Sequence, residues 1–283
     1  MIIDSHTHVL PEEFRQDRAR FLKADATFAA LFAADRAKAA SAEDLIASMD
    51  GAGADASVAA GFGWTDDGAA RLANDYALDA GRRFPGRIIP FCSVNPLKGD
   101  GAAREVRRCA ESGAKGVGEL HPDTQGFSST DPVVLSRLAP VMEAARGSGM
   151  PVLVHASEPV GHAYPGKGAY TPDKALALAQ AYPDNNIIFA HFGGGLPLYA
   201  LMPEVARALG NVYFDSAAQP LLYAPVVHTV AAAGAGVSHI LFASDFPLVS
   251  QERALKAARA GGLSGPDESK VLGSNAARLL GLG

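Results

Sequence analysis

The chain has 283 residues, of which 48% are hydrophobic and only 19% are charged, which favours a large buried core and argues against disorder. The formal net charge is −5 and no run of basic residues occurs, which argues against nucleic acid or an anionic membrane as a partner. Two cysteines without metal-type spacing, and no apolar stretch resembling a signal peptide or a membrane span, predict a protein of the reducing cytoplasm.

Eight short apolar runs are spread over the chain, and helical patterns separate them. The predicted strands are residues 2–4, 56–62, 87–94, 114–120, 151–156, 186–191, 211–217 and 239–245. Between them, apolar residues recur at spacings of three and four, as in "PDKALALAQAYP", with glycine or proline at the ends. Near-continuous apolar strands alternating with helices predict an α/β fold with a parallel sheet. Eight such units in this length predict one (β/α)8 barrel, a single domain over residues 1–283.

Two segments are longer than a barrel requires. The first runs from Pro11 to about Ser41, after strand one, and is expected to fold as small extra helices. The second is a long loop after strand five, residues 157–172. Because long loops after barrel strands lie at the catalytic face, these segments are expected to form lids and substrate walls.

The first strand leads into two histidines, His6 and His8, in "MIIDSHTHVL". Side chains at i and i+2 of a strand point to the same side, so the two imidazoles project together. A buried pair of imidazoles is costly unless something takes up their lone pairs or protons. A divalent metal accepts both, which makes a metal site the first hypothesis for this strand.

Polar side chains also mark the ends of later strands. Glu119 ends strand four, His155 lies near the end of strand five and His191 ends strand six, while Asp215 and Asp245 lie late in strands seven and eight. The C-terminal ends of barrel strands meet at one face, where barrels place their chemistry. Singly, each residue could be a hydrogen-bonded structural group or a turn cap. Together, they predict a divalent-metal site with an open coordination position.

Weaker candidates lie beside these strand ends. His121 shares the inward parity of Glu119, so it is expected either to touch substrate or to make a structural hydrogen bond. In the loop after strand five, His162, Lys167 and Tyr170 could hold an anionic substrate, because lysine supplies a point charge for carboxylate or phosphate. The alternative for Lys167 is a solvated loop side chain.

Three further features have structural alternatives. The glycines of "FGGG" (192–195) suit a tight turn, or an anion-binding nest of backbone N–H groups. Asp4 has the strand parity of His6 but lies deeper, which predicts a hydrogen-bond partner for a histidine. Asp215 could orient a neighbour or contact substrate.

The order and spacing of the motifs resemble the amidohydrolase superfamily over nearly the whole chain. The motifs are "DSHTH", "VLVHA", "IIFAHFGG", "LFASDFP" and the closing "SNAARLLGL". "SDFP" and "NAARLLGL" resemble the branch that includes aminocarboxymuconate-semialdehyde decarboxylase and related aromatic-acid decarboxylases. The resemblance implies a (β/α)8 fold and a divalent metal, usually zinc, with manganese or iron as alternatives. It places the ligands at His6, His8, His155 and Asp245, with His191 near the metal, and family members are often homodimers.

Glu119 leaves the number of metal ions open. In superfamily members with two metals, a strand-four carboxylate or carboxylated lysine bridges the ions, and Glu119 in "GVGELHPD" has that position. The single-metal decarboxylases have no such requirement. Glu119 is therefore a candidate ligand in a site for one ion or two.

The leading functional prediction is a metal-dependent hydrolase of a small amide, lactone or ester. Asp245 would take the proton of metal-activated water and pass it to the leaving group, while His191 would stabilise the developing oxyanion. The alternative is a non-oxidative decarboxylase of a small aromatic or unsaturated acid, using the same metal to bind the carboxylate. A metal-dependent nuclease is disfavoured by the acidic charge balance, and a non-catalytic binding protein would not need ligands at the open face.

Overall fold

The computed structural model describes residues 1–282 and shows eight parallel strands, each hydrogen-bonded to the next along the chain. The strands are β1 (Ile3–His8), β2 (Ala56–Ala60), β3 (Ile88–Cys92), β4 (Gly116–Leu120), β5 (Val152–Val154), β6 (Ile187–Phe189), β7 (Val212–Asp215) and β8 (Ile240–Leu241). The backbone N–H groups of Ser5 and Asp245 donate to the carbonyls of Phe242 and His6, each at 2.9 Å, and so join the last strand region to the first. The predicted (β/α)8 barrel is confirmed.

Helices of different lengths surround this barrel. Within residues 1–282 they are α1 (Glu13–Gln16), α2 (Arg18–Ala24), α3 (Ala26–Phe32), α4 (Ala42–Ala52), α5 (Asp67–Arg83), α6 (Asp100–Glu111), α7 (Pro122–Gln125), α8 (Pro132–Ser136), α9 (Ala139–Gly147), α10 (Pro172–Ala181), α11 (Leu196–Tyr199), α12 (Pro203–Ala208), α13 (Gln219–Leu222), α14 (Val227–Ala235), α15 (Gln251–Arg259), α16 (Gly265–Ser269) and α17 (Asn275–Leu280). None of the helices in this part of the chain is long and apolar enough to cross a membrane.

Apolar side chains fill the interior of the barrel. Six strands each contribute at least one large buried residue to a single cluster: Ile3, Val58, Phe91, Leu153, Ile188 and Leu241. β4 contributes Gly116 instead, where a Cβ would lie 2.3 Å from the Phe91 ring, so only glycine leaves room for that ring. Burial of each large apolar side chain stabilises the fold by about 1.5–3 kcal/mol. A filled interior confines the chemistry to the mouth, where the strands end.

The first and last strands differ in length from the prediction. β1 continues through His8, so both histidines lie within the strand rather than after it. β8 spans only Ile240–Leu241, because side chains take over the next backbone donors. Ala243 N donates to Ser216 Oγ and Ser244 N donates to Asp4 Oδ1, each at 2.9 Å. Asp245 therefore lies in the turn beyond the strand.

The two long segments lie where the sequence places them. Helices α1–α3 follow β1 and bury a cluster of aromatic rings, including Phe14 and Phe28, against Trp64. Between α3 and α4, residues 33–41 form an irregular segment, which we call the strap. The strap ends at a capping box, in which Ser41 and Asp44 exchange side-chain and backbone hydrogen bonds at the start of α4. Residues 155–171 form the long loop after β5.

Candidate metal centre and cavity

His6 and His8 point their Nε2 atoms at each other from the end of β1. His6 Nδ1 lies 2.8 Å from Asp215 Oδ2, and His8 Nδ1 lies 3.2 Å from the carbonyl oxygen of Ala60. Because both partners only accept, each Nδ1 carries the hydrogen in the neutral ring and each Nε2 keeps its lone pair. These two Nε2 atoms are 3.0 Å apart. Two lone pairs at that distance need a proton or a cation between them.

His191 and His155 present their own lone pairs to the same place. His191 Nδ1 lies 3.0 Å from the carbonyl of Ala217, so its Nε2 is the electron-pair donor. His155 has the opposite arrangement. The Ser157 hydroxyl donates to the carbonyl of Lys167, so its oxygen accepts from His155 Nε2 at 3.1 Å. His155 Nδ1 then carries the lone pair.

The Glu119 carboxylate stands between these two pairs of imidazoles. Its Oε2 lies 3.4 Å from His6 Nε2 and 3.6 Å from His8 Nε2. Its Oε1 lies 2.9 Å from His155 Nδ1 and 3.9 Å from His191 Nε2. One carboxylate oxygen therefore faces each pair, which is the arrangement expected of a bridging ligand.

Two sets of donor atoms, each within 4.8 Å of one another, can hold a metal ion. They are His6, His8 and Glu119, and Glu119, His155 and His191. Imidazole nitrogen with carboxylate oxygen is a donor set that suits zinc, manganese or iron. Since all the nitrogen lone pairs converge on one carboxylate, the residues present fit a divalent cation.

Electrostatics within the cluster favour charge separation. Burial works against a charged His6, but the carboxylates of Asp215 and Glu119 outweigh it and raise the pKa of His6 well above its usual value. Burial also works against a charged Glu119, but His6 and His155 hold the pKa of that carboxyl well below its usual range. The cluster therefore stabilises positive charge beside Glu119, and a metal ion would compete with protons for the same lone pairs.

Asp245 lies at the rim of the cluster, with Oδ1 3.4 Å from His8 Nε2. Burial raises the pKa of the Asp245 carboxyl, but the neighbouring imidazoles of His8 and His6 outweigh it, and the net shift is downward. Asp245 is therefore ionised in the free protein. Its backbone φ of 67° places it in the left-handed region and turns the chain into the mouth of the barrel.

Asp215, and not Asp4, holds a histidine ring, which is the first of the two roles that the sequence left open for Asp215. Asp4 makes no contact with a histidine ring; it accepts from the backbone N–H of His6 at 3.3 Å and from groups on the β8 side. Asp4 is therefore a partner of the His6 backbone but not of a histidine ring, because Ser244 and Gln251 occupy its carboxylate. Asp215 holds the His6 ring instead, and its second oxygen accepts from the backbone N–H of His191 at 3.0 Å.

A cavity of about 410 Å³ opens above the cluster. The cluster contributes His8, Glu119, His155, His191 and Asp245 to its floor, and most of the remaining wall is apolar. The apolar and aromatic lining includes Leu31, Phe32, Phe62, Leu221, Leu222 and Leu248. Such a cavity is the expected form of a small-molecule site: concave, mostly apolar, with a few convergent polar groups.

The predicted substrate-binding residues divide between cavity and loop. His162 lines the cavity. Lys167 does not; its ammonium group donates to the carbonyls of Val160 and His162, at 2.7 and 3.0 Å. Tyr170 is fully buried and donates to the carbonyl of Lys174, so it belongs to the core. The Lys167 ammonium group thus binds the backbone of its own loop and not the cavity.

His121 lines the cavity beside the metal centre. Its ring stacks on His155, with centroids 4.3 Å apart and planes at 16°, and its Nε2 lies 3.1 Å from the carbonyl of Gly166. Burial lowers the pKa of His121 to about 4, so the ring is neutral at physiological pH. His121 therefore combines both predicted roles, a structural hydrogen bond and a place in the cavity wall.

The glycines after His191 serve a turn. Every residue from His191 to Gly195 has a positive φ, between 53° and 100°, a conformation that glycine adopts at little cost. A Cβ at Gly194 would lie 2.2 Å from the carbonyl oxygen of Ser157. The turn alternative for "FGGG" therefore accounts for the structure.

Two cationic side chains in the cavity wall were not predicted from the sequence. Arg36 and Lys38, both on the strap, line the cavity, and Lys38 Nζ lies 3.4 Å from the carbonyl of Leu248. The strap has no periodic pattern that would indicate which side chains point inward. The available signal was its position after β1, at the face where the walls of the site were expected.

Comparison with known proteins identifies related sequences and folds. The family model for amidohydrolases matches residues 3–282. No curated protein gives a match. Among solved structures, 5-carboxyvanillate decarboxylase from Sphingomonas paucimobilis is 18% identical, with a TM-score of 0.76 over 100% of this chain and 99% of that chain.

Two further structures have bound manganese. The 5-carboxyvanillate decarboxylase from Novosphingobium aromaticivorans, in complex with manganese and 4-hydroxy-3-methoxy-5-nitrobenzoic acid, is 22% identical, with a TM-score of 0.77 over 100% of this chain and 96% of that chain. A dihydroxybenzoic acid decarboxylase from Polaromonas sp., with manganese and the inhibitor 2-nitroresorcinol, is 21% identical, with a TM-score of 0.71 over 99% and 97%. At these identities the likeness establishes the shared fold.

Proposed function

The chain belongs to the amidohydrolase family, and we propose that it is a metal-dependent, non-oxidative decarboxylase of a small aromatic carboxylic acid. The three enzymes compared above are decarboxylases of such acids, and two of them bind manganese. This is the alternative that the sequence left open, and it now has more support than hydrolysis of an amide, lactone or ester.

The cavity is the observation that carries the proposal. Its volume of about 410 Å³ suits a single substituted aromatic ring, and pockets of this kind bury most of their ligand. Phe32 and Phe62 supply aromatic faces, while imidazoles and carboxylates are confined to the floor. An acid bound with its carboxylate at the floor leaves its ring against the apolar wall.

Positive charge in the wall favours an anionic substrate. Arg36 and Lys38 are the only lysine or arginine side chains among the described residues that line the cavity. Arginine binds carboxylates through paired hydrogen bonds, and lysine acts as a point charge. The strap, rather than Lys167, is therefore the proposed source of charge that attracts the acid.

The chain's own residues can hold the metal and move the proton. His6, His8, Glu119, His155 and Asp245 are the proposed ligands, and the ion supplies positive charge for the substrate carboxylate. Asp245 is also the proposed proton carrier, because it lines the cavity and is ionised in the free protein. His191 can stabilise a developing oxyanion only as the imidazolium, since its neutral ring presents a lone pair.

The bond changes in the proposed reaction balance without an oxidant. The bond between the ring carbon and the carboxylate breaks, and CO2 leaves. The electron pair that stays on the ring carbon forms a C–H bond with an incoming proton. Asp245 would first accept that proton from a substrate hydroxyl or from water and then deliver it to the carbon.

Hydrolysis stays as the second candidate because of Glu119. One of its oxygens faces each pair of histidines, as in sites where two ions activate water. If Glu119 bridges two ions, Glu119→Gln should reduce the metal content from about two ions per chain to about one. A wild-type protein with one ion per chain would remove this support for hydrolysis.

Direct product analysis tests the proposal. Protein loaded with Mn²⁺ would be incubated in D2O with hydroxybenzoates and other ring-substituted aromatic acids, and in parallel with small amides, lactones and esters. We expect one CO2 per substrate consumed and one deuterium at the vacated ring carbon, detected by NMR. Turnover of an ester, lactone or amide with no release of CO2 from any acid would favour the hydrolase.

A further inference from the structure

The strap separates the cavity described above from a second one. The second cavity has a volume of about 640 Å³ and is lined by the strap and by residues of the aromatic helices α1–α3, including Arg18. Phe32, Ala37 and Lys38 line both cavities. The first half of the strap, residues 33–36, is exposed, so packing contributes little to fixing its position.

Arg18 supplies hydrogen bonds where packing is missing. From α2, its guanidinium donates to the carbonyl of Phe32, to the carbonyl of Ala34 at 2.7 Å and to Asp35 Oδ1 at 3.1 Å. These three acceptors are the last residue of α3 and the first half of the strap. One planar group therefore joins the wall to a helix that does not line the main cavity.

The rest of the strap has other attachments. Leu10 N donates to the carbonyl of Ala40 at 2.8 Å, and Lys38 Nζ donates to the carbonyl of Leu248. The turn that carries Arg36 is joined directly to the segment that Arg18 binds, because Ala37 N donates to the carbonyl of Ala34, which also accepts from Arg18. The placement of Arg36 thus depends on the segment that Arg18 binds.

We propose that Arg18 is a positioning residue that fixes the strap and thereby sets the width of the cavity and the placement of Arg36. The part of this inference that concerns substrate rests on the proposed function; the part that concerns the strap does not. Arg18 touches neither the metal centre nor the main cavity, so its effect on an aromatic acid is indirect.

The hydrogen bonds of Arg18 differ in how much they are expected to stabilise the strap. Asp35 is fully exposed, at 103% of its reference side-chain area, so its ion pair with Arg18 contributes little in water. The carbonyls of Phe32 and Ala34 have a charged donor, and such bonds are the stronger class. Loss of the Arg18 guanidinium should therefore loosen the strap, whereas loss of the Asp35 charge should not.

Limited proteolysis with trypsin tests the strap without any assay of activity. Trypsin cleaves after arginine and lysine, and Arg36 and Lys38 are exposed on the strap. Mass spectrometry would measure the rate of cleavage after these two residues. In Arg18→Met, we expect this rate to rise about tenfold or more, which is the effect of losing one charge-assisted hydrogen bond. Asp35→Asn should stay within about twofold of wild type, where only an exposed pair is lost.

Arg20→Met is the matched control for this experiment. Arg20 lies on the same helix, with its guanidinium over the Phe21 ring at 5.1 Å and 3.9 Å from Asp17. It does not contact the strap, so its removal should leave the cleavage rate unchanged. If Arg18→Met does not fold, Arg18→Lys is the substitute, because a single ammonium cannot reach all three acceptors and should give intermediate cleavage.

Kinetics with an aromatic acid that the wild type decarboxylates form the second arm. Arg18→Met should raise KM several-fold with a smaller change in kcat and unchanged metal content, because binding is loosened and the reacting groups are not touched. Equal cleavage of Arg18→Met and Arg20→Met, or equal effects of Arg18→Met and Asp35→Asn, would overturn the proposal. If no acid is decarboxylated, the proposed function fails while the proteolysis result still decides the role of Arg18.

Discussion

Two buried polar clusters lie on strand β1, only two residues apart, and their hydrogen bonding differs. The deeper one is built on Asp4, whose carboxylate accepts from Ser244 N at 2.9 Å, Ser244 Oγ at 2.5 Å and Gln251 Nε2 at 2.8 Å. Every strong contact in it joins an acceptor to a donor. The Asp4 carboxylate therefore has its donors without any further group, and it connects β1 to the end of β8 and to α15.

The upper cluster, built on His6, brings acceptors together. When neutral, the rings of His6 and His8 present lone pairs to each other at 3.0 Å and to the Glu119 carboxylate at 3.4 and 3.6 Å. The raised pKa of His6 has the same origin, because a proton, like a cation, relieves this mismatch. Burial is the same in both clusters, since Asp4 and His6 are both fully buried. Donor–acceptor matching, not burial, therefore distinguishes the structural network from the proposed metal site.

Removing the two histidines should produce the largest effect. The double substitution His6→Ala and His8→Ala deletes two proposed ligands, so metal content and activity should both fall to background. Elemental analysis of protein prepared without chelators, with the activity assay beside it, checks this. Asp4→Asn is the comparison, since it should keep its metal. Full metal content in the double variant would show that the upper cluster is not the metal site.

Asp245→Asn should separate the two roles proposed for that residue. Asparagine keeps the shape and one oxygen but cannot carry the proton. If proton transfer is its main role, the metal should be retained and kcat should fall by about 10²–10⁴-fold, the usual contribution of a general acid or base. Measurement of kcat at rising metal concentration provides the check. Recovery of most of the rate with excess metal would identify Asp245 as chiefly a ligand.

Asp4→Asn should change how stability depends on pH. Burial raises the pKa of Asp4 to about 6, so between pH 4 and 6 the native state holds a proton that the unfolded chain has lost. The native state then binds more protons, and the free energy of unfolding falls as pH rises through this window. At about 1.36 kcal/mol per pKa unit, the Asp4 contribution is up to about 3 kcal/mol.

Urea unfolding at several pH values measures this contribution. The wild-type protein should lose free energy of unfolding between pH 4 and 6 relative to Asp4→Asn, which has no group to titrate there. The difference between the two curves, rather than either curve alone, removes the titration of other groups. Parallel curves would mean that Asp4 does not hold a proton in the native state.

Lys167→Met should have the smallest effect. The Lys167 ammonium donates to loop carbonyls and does not reach the cavity, so KM for an aromatic acid should change by less than about twofold. Arg36→Met, which removes a cation from the cavity wall, should raise KM several-fold under the same conditions. A larger rise in KM for Lys167→Met than for Arg36→Met would restore the loop lysine as the anion anchor.

The sequence predicted the barrel and most of the upper cluster for one physical reason. Parallel strands end at one face, so polar residues that end apolar runs must converge there, whatever the loops do. His6, His8, Glu119, His155 and His191 all meet as this rule requires. The sequence pattern does not predict how many metal ions these residues hold, because Glu119 suits either a single-ion site or a bridge between two ions.

The errors and omissions arise where no periodicity constrains the chain. Strand parity predicts to which side of the sheet the Asp4 side chain points, but not how deep in the barrel it lies. Asp4 was therefore expected beside a histidine ring, and Asp215 holds that ring instead. In loops, the sequence does not predict even the direction in which a side chain points. Lys167 was therefore a candidate anion anchor or a solvated side chain with equal weight, while no pattern in the strap singled out Arg36.

An anomalous difference map of crystals grown with Mn²⁺ would locate the metal ion directly. We predict a peak beside Glu119, within coordination distance of His6 and His8, and no peak at the Asp4 cluster. A second peak between Glu119 and His155 would establish the bridging arrangement. Crystals of active protein with no peak at the upper cluster would contradict the claim that mismatched acceptors on β1 mark a metal site.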